Sequence, residues 1–390
     1  MQGYQNNGPL QRVVMAPGAL DEVSREVAAL GARRAMVVCG PNTAKTRLLA
    51  RVVERLGATL VLLFDRVVEH SSTIVVTEGA RLAREKNVDV LVAVGGGSAS
   101  DTAKGIAILL AEGGRIEDHA SRFTPPDQFV PKELPSPKIP ILAIPTTASA
   151  AEVTPGLGIK DPQGTKLLFW DVKLASRVII LDPVANLEVP VSLMASTAMN
   201  AFAHCAEGFY SRLKSPISDA FALQGARILA RAIPAMVAEP DNAAHRAGVL
   251  TGAYLSGAVI SNARVGIHHA ICHCLGAAGG LAHGVANAIM LPHALAYNVE
   301  VAAAELRQLA EAMDVDVRGL SDRDAAMAAI EAVKALQRKA KVPSRLRDTG
   351  LDRAKFPLIA EKAFHDRGLY FNPRRTVEKG PLIALLEQAW

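Results

Sequence analysis

The most constraining feature of this chain is a short, nearly all-apolar run, Val88-Asp89-Val90-Leu91-Val92-Ala93-Val94. It passes straight into Gly95-Gly96-Gly97-Ser98 and then into a helical stretch. A strand that is apolar at successive positions has to be covered on both faces, which means a parallel sheet with helices above and below it. The neighbouring sequence repeats the alternation. Residues 35–39 form an apolar run that stops at Gly40-Pro41, and a helical pattern follows over 42–56. Residues 59–64 read as a strand, 73–86 as a helix, and 139–144 and 177–181 as strands halted by Pro145 and Pro183. In this reading the strand before the triple glycine is the third, and the 139–144 strand the fourth.

Beyond Pro190 the pattern changes to long Ala- and Leu-rich helical stretches over 196–211, 217–238, 243–261, 270–275 and 284–298. Strand signals almost vanish there. A chain of 390 residues exceeds one typical core, and two domains of roughly 150–200 residues are expected. The expected division is an α/β domain over 1–190, with a parallel, Rossmann-like sheet, and an all-α domain over 191–390. Residues 121–140, with six prolines, read as a loop or linker.

Composition narrows the class. The net charge of +5 arises from 43 basic and 38 acidic residues, and Arg33-Arg34 and Arg374-Arg375 are isolated pairs, not a stripe. No nucleic-acid partner is expected. The opening MQGYQNNGPL has neither a basic nor an apolar leader segment. No apolar stretch is read as reaching the roughly 18–20 residues that span a bilayer. Cys39, Cys205, Cys272 and Cys274 do not make a disulfide framework in so long a chain. Cys272 and Cys274 sit two apart in an apparent helix, so they diverge and read as buried thiols. The expectation is a cytoplasmic protein with no membrane partner.

Glycines between a strand and a helix let the backbone approach a pyrophosphate, and the helix N-terminus adds free N–H groups and a positive dipole end. Gly95-Gly96-Gly97-Ser98 is not G-x-G-x-x-G, and a triple glycine can also be a plain tight turn. Its place between strand and helix favours phosphate binding. A second loop, Pro145-Thr146-Thr147-Ala148-Ser149-Ala150-Ala151-Glu152-Val153-Thr154-Pro155, follows the next strand. It would lie at the same end of the sheet, although alone it reads as a polar turn.

In the helical half, Asn200 and His204 stand at i, i+4 and share one helix face. His269 and His273 repeat the spacing, and His283 precedes another helix. His204, His245, His268, His269, His273, His283 and His293 all fall in this half. A lone histidine on an apolar helix is usually a satisfied core residue; several at i, i+4 on separate helices point to a common site.

Taken together, Gly95-Gly96-Gly97-Ser98-x-x-Asp101-x-x-Lys104, Pro145-Thr146-Thr147, Glu152-Val153-Thr154, Asp182-Pro183, His204 and His269-x3-His273-x9-His283-Gly284 resemble the iron-containing (group III) alcohol dehydrogenases. The likeness runs through Leu291-Pro292-His293 to Asn372-Pro373-Arg374 and covers nearly the whole chain. It implies a dehydroquinate synthase-like architecture with an active site in the cleft between an α/β and a helical domain. It also implies NAD or NADP held by Gly95, Gly96, Gly97, Ser98, Asp101, Thr146, Thr147, Thr154 and Lys166. Many relatives carry an aspartate after the first nucleotide-binding strand; here that place is Gly40, which permits NADPH.

The resemblance implies a divalent metal, iron or zinc, held by one aspartate and three histidines. His204, His269 and His283 match the histidines, but Asn200 stands in place of the acid and is the poorer ligand. The shortened loop from Thr146 to Thr154, the doubled His268-His269 before Cys272-His273, and the segment Pro292-His293-Ala294-Leu295-Ala296-Tyr297-Asn298 are more similar to maleylacetate reductases, which require no metal. Those reductases commonly have a lysine where this chain has Ala270. The expected activity is hydride transfer to a small carbonyl or conjugated oxo acid, with His269, His273 and His204 as catalytic residues and a homodimer as the assembly. The alternatives are a metal-dependent alcohol dehydrogenase or aldehyde reductase, a dehydroquinate synthase-like lyase, and a nucleotide-binding scaffold without catalysis.

Overall fold

The computed structural model describes residues 11–390; the opening segment on which the leader reading rests lies outside the described residues. By contact density the chain forms two compact units. One comprises residues 11–122 with Pro131–Val189, and the other Pro190–Trp390 with Phe123–Val130.

The first unit is built on strands β1 (Arg12–Met15), β2 (Ala35–Val38), β3 (Leu60–Phe64) and β4 (Val90–Gly95). Strands β5 (Arg122–Thr124) and β6 (Gln128–Val130) form a separate two-stranded ribbon. Then come β7 (Ile141–Pro145), β8 (Gly156–Lys160), β9 (Lys166–Trp170) and β10 (Val178–Leu181). Six of these make one sheet in the order β1-β10-β7-β4-β2-β3, with parallel pairing throughout. Side chains alternate between faces as the pleat requires. Met36, Val38, Leu91, Ala93 and Ile141 enter one core, while Ala35, Val37, Val90, Val92, Val94 and Ile180 enter the other. Helices α3 (Thr73–Glu85) and α4 (Gly97–Glu112) supply Val76, Ala80, Ala103 and Ile106 to the first core. Helices α1 (Val23–Ala29) and α2 (Arg47–Leu56) supply Val23, Val27, Leu49 and Val52 to the second.

Two corrections to the strand count follow. The strand before the triple glycine is the fourth in chain order, because β1 pairs with β10 at the sheet edge. That edge strand lacks any fully buried side chain and so carries no apolar run to read. The antiparallel β8–β9 hairpin was also missed. Gly156 and Gly158 break its apolar alternation, and β-carbons there would collide with Trp170 and Lys166 respectively.

The second unit holds α5 (Val191–Tyr210), α6 (Pro216–Ala238), α7 (Ala243–Ala263), α8 (Ile267–Ala277), α9 (His283–Ala312), α10 (Asp322–Ala340), α11 (Phe356–Phe364), α12 (Gly368–Phe371) and α13 (Gly380–Gln388). It is helical except for most of the β5–β6 ribbon, whose Phe123 packs on the core around Ile271, Leu275, Ile289 and Phe356. Among the described residues α6 is long and apolar enough, by length and composition alone, to cross a membrane, which the sequence reading overlooked. Here Ser218, Ala222, Gly225, Ala226, Leu229, Ile233 and Met236 are buried at helical spacing, and the helix packs on α5 and α7.

Candidate active site

Chain order reverses between β2 and β4: β3 lies on one side of that pair, and β7 and β10 lie on the other. In open α/β sheets, ligands bind outside the carboxyl ends of the strands at such a switch point. Gly40 follows β2 and Gly95 ends β4, so both stand there. Gly95 adopts φ +144, and a β-carbon on it would lie 3.1 Å from Ala99 Cβ. On Gly96 a β-carbon would lie 3.0 Å from Thr147 Cγ2. The glycines are therefore required by close approach of two loops, which the Thr146 N–H to Gly95 carbonyl bond of 2.9 Å also ties together. Gly96 caps α4 without a side-chain bond, which leaves the first-turn N–H groups of Gly97 and Ser98 for an anion. The buried Thr147 Oγ1 has no hydrogen-bond partner among the described residues. A backbone cradle that a β-carbon would fill, with an unsatisfied hydroxyl beside it, fits a dinucleotide.

The expected cofactor residues divide into two groups. Gly40, Gly95, Gly96, Gly97, Thr146 and Thr147 stand along the carboxyl ends of β2, β4 and β7. Ser98, Asp101, Thr154 and Lys166 are engaged by protein. Ser98 Oγ accepts from the His70 N–H at 3.1 Å, and Asp101 Oδ2 from the Gly158 N–H at 3.1 Å. The Thr154 hydroxyl donates to the Ala151 and Gly156 carbonyls at 3.3 Å. Lys166 lies across Gly158 in the hairpin.

Lys104, which closes the glycine-rich pattern and was given no role from sequence, is fully buried. Its ammonium donates to the carbonyls of Thr154 at 2.7 Å and Gly156 at 2.8 Å, and also to Ala151. One cation thus clamps the loop that faces the triple glycine. Lys104→Met would remove the shared charged donor of three carbonyls and leave that of Thr154 without its bond, and is expected to cost about 2–4 kcal/mol in denaturant unfolding. Burial brings the Lys104 pKa down to about 8, opposed by Asp101 and Glu152. Between about 8 and the ordinary 10.5 the unfolded chain holds this proton more firmly, so this group adds stability as pH rises across that window. The wild type should therefore gain on Lys104→Met from pH 8 to 10.5, while a parallel pH dependence of the two would refute the assignment.

In the helical unit, α5 and α8 bring the imidazoles together. His204 and His269 stack with centroids 4.8 Å apart, His269 and His283 lie at 5.8 Å, and His273 stacks on His283 at 5.8 Å. Asn200, His204, His269, His273 and His283 thus converge. His245 pairs with Glu239 at 3.1 Å instead, and His293 is not among these ring contacts.

Two carboxylates behind the rings were missed by the sequence reading. Glu207 is fully buried, and Oε1 accepts the Gly266 N–H at 2.8 Å. Its Oε2 accepts from His269 Nδ1 and lies 3.4 Å from His268 Nδ1. Burial would raise this carboxyl, but His269 and His268 outweigh it and hold the pKa low. Glu207 is three residues beyond His204 and seven beyond Asn200, a readable helix-face signal. Asp366 accepts from His273 Nδ1 at 2.7 Å, from 93 residues away, and nothing local announces it.

Burial brings the His269 pKa down to about 4, against the pull of Glu207. His269 is therefore neutral, its Nδ1 turned to Glu207, and its Nε2 lies 3.1 Å from Asn200 Oδ1. His204 is held neutral chiefly by burial and then by His269. Its Nδ1 lies 3.3 Å from Ser256 Oγ, whose own hydroxyl donates to the Ala253 carbonyl. Neutral imidazoles offering Nε2, one of them backed by a carboxylate, suit a borderline-soft divalent ion. By donor chemistry His204, His269 and His283, with the Asn200 amide as a weak fourth donor, suit such a metal, although their ligand atoms are not gathered within 4.8 Å of one another. Glu207, His268 and His269 lie within metal-binding distance of one another. There both histidines turn Nδ1 to one carboxylate oxygen, and His268 Nε2 donates to the Asn287 carbonyl at 3.0 Å, which is a hydrogen-bonded cluster and not a ligand set.

Comparison with known proteins gives a consistent result. The model for iron-containing alcohol dehydrogenase matches residues 10–183, and that for the C-terminal part of the same family matches 194–390. A 1,3-propanediol dehydrogenase of Klebsiella pneumoniae is 33% identical over 381 residues, covering 96% of each chain. A maleylacetate reductase of Burkholderia cepacia is 32% identical, covering 100% of this chain and 98% of its own. The crystal structure of a 1,3-propanediol oxidoreductase superposes with a TM-score of 0.92 at 31% identity, covering both chains fully.

Proposed function

We propose, since the chain belongs to the iron-containing alcohol dehydrogenase family, that it reduces a small carbonyl or conjugated oxo acid at the expense of NADH or NADPH, with His273 as proton donor. The family consists of NAD(P)-dependent oxidoreductases, and this chain is one of them. The observation that carries the finer reading is the His273–Asp366 pair, set among imidazoles that burial keeps neutral.

When bound, the nicotinamide supplies the hydride for the carbonyl carbon. Gly95 and Gly96 let its pyrophosphate approach the α4 N-terminus, while Thr147 offers a hydroxyl in the same groove. Asp366 takes the Nδ1 proton of His273 as a hydrogen bond, which fixes the tautomer and leaves Nε2 to exchange a proton with the substrate oxygen. The His273 side chain is 14% exposed against 3% for His269, so it can be reprotonated from solvent. A metal on His204, His269 and His283 would supply Lewis-acid polarisation of that oxygen.

A carbonyl screen with both nucleotides, followed at the nicotinamide absorbance, tests the reading. Substrate turnover without net nucleotide consumption would instead establish the lyase alternative. Because Asn200 stands in place of the carboxylate ligand, activity is expected to survive EDTA with less than about a threefold loss. Abolition by EDTA and recovery with zinc or iron would refute the metal-independent version.

A further inference from the structure

The β5–β6 ribbon has no part in the chemistry above, yet one of its side chains packs on the turn that carries the carboxylate partner of His273. Residues Phe123–Val130 group with the helical unit, and Phe123, Pro125 and Phe129 are the half-buried ones among them. Phe123 packs on the core around Ile271 and Phe356. Phe129 points elsewhere. Its ring centre lies 6.0 Å from that of Tyr370 and 5.9 Å from that of Phe371. The Arg367 guanidinium carbon lies 6.0 Å from the same ring centre. These are ordinary aromatic and cation–π separations, and all three fall on one short segment that opens at Asp366.

The two carboxylate oxygens of Asp366 are divided between this segment and the histidine. Oδ1 accepts the Gly368 N–H at 2.7 Å, and Oδ2 accepts from His273 Nδ1 at 2.7 Å. The Asp366 carbonyl accepts the Leu369 N–H at 3.1 Å, and the Arg367 carbonyl the Tyr370 N–H at 3.0 Å. The direction of Oδ2 is therefore set by the shape of one turn, α12. A single helical turn does not hold its shape on its own, so its surroundings must fix it. On one side it is pressed against the start of α8, where a β-carbon on Gly368 would lie 2.7 Å from the Gly266 carbonyl oxygen. At its far end the Arg212 backbone N–H donates to the Phe371 carbonyl and its guanidinium to the Tyr370 carbonyl, both at 3.0 Å. Those contacts hold backbone; Phe129 packs on three of the side chains.

We infer that Phe129 is a positioning residue for proton transfer: its ring holds the α12 turn, the turn holds Asp366, and Asp366 holds the His273 imidazole. This inference rests on the reading of His273 as proton donor. Without the ring at position 129 the turn gains freedom, and Oδ2 no longer fixes Nδ1 in one place. A general acid works only within hydrogen-bond reach of the reacting oxygen, so a small displacement is costly in rate.

The test uses the full chain as Phe129→Ala, Phe129→Tyr and, as a packing control, Ile233→Val at a fully buried position of α6. Phe129→Ala should lower kcat by about tenfold on a carbonyl the wild type reduces, with KM for carbonyl and nucleotide within about twofold. Phe129→Tyr keeps the ring and should stay within about twofold of the wild-type kcat. Ile233→Val, which loosens the helical unit elsewhere, should do the same. A second readout needs no turnover. With isotope-labelled histidine, the His273 Nδ1–H bound to Asp366 gives a downfield proton resonance, assigned by its absence in His273→Ala. That signal should be sharp in wild type and Phe129→Tyr, and broadened or shifted in Phe129→Ala. An unmoved resonance in Phe129→Ala, or equal kcat losses in Phe129→Ala and Ile233→Val, would overturn the inference. A resonance that depends on Phe129, with no reduction of any carbonyl by either nucleotide, would overturn the reductase reading and leave the positioning of His273 standing.

Discussion

His273→Ala is expected to lower kcat for carbonyl reduction by about 10²–10⁴-fold, the range for losing a positioned general acid. Asp366 fixes Nδ1 at 2.7 Å, and the ring stacks on His283 at 5.8 Å, so its orientation is set from two sides. His269, its neighbour in the cluster, is neutral and nearly inaccessible, and has its Nδ1 proton committed to Glu207. Nucleotide affinity, measured by quenching of protein fluorescence, should change less than about twofold, since only a transition-state interaction is removed. Asp366→Asn should give a smaller loss, because the amide oxygen still accepts from Nδ1 while the partner charge is gone. Full activity of His273→Ala on a substrate the wild type reduces would remove His273 from the mechanism.

Glu207→Ala should be the most destabilising substitution in the helical unit, by about 3–5 kcal/mol in chemical unfolding. It would leave the Gly266 N–H and the Nδ1 atoms of two buried imidazoles without their shared acceptor. Glu207→Gln retains an acceptor for Gly266 and should cost less, about 1–3 kcal/mol. The wild-type carboxyl is held below its ordinary 4.5, because His269 and His268 outweigh the burial that would raise it. Its contribution is therefore complete above about pH 4.5 and is lost as the pH falls below that value. Glu207→Gln should lack that acid-side loss. If Glu207→Ala unfolded at the wild-type denaturant midpoint, the carboxylate would not be the keystone of the histidine cluster.

Local chemistry was legible wherever a residue's function is to shape its own backbone. Gly95 and Gly96 could be read because a strand followed at once by glycines and a helix leaves few conformations, and the structure adds only the identity of the touching loop, Thr147. The imidazoles were legible from helix periodicity, since i, i+4 spacing sets a common face before any packing is known. Glu207 lies on that same face and was within reach of the same argument. β1 was not, because an exposed edge strand needs no apolar pattern.

The sequence by itself determined the apolar strands of the sheet, the glycine turn after one of them and the shared helix faces of Asn200 with His204 and of His269 with His273, because each follows from local spacing within one stretch of chain. Only the tertiary structure decided which polar groups are already satisfied. It engages Ser98, Asp101 and Thr154 with backbone, makes Lys104 a buried clamp, and gives His273 its carboxylate. Apart from Thr154, whose partners lie within three residues, each of these contacts joins residues from different elements or loops. A hydrogen bond or a charge–charge term depends on the distance, orientation and surroundings of its groups, and between separate elements these are fixed by packing and not by spacing along the chain.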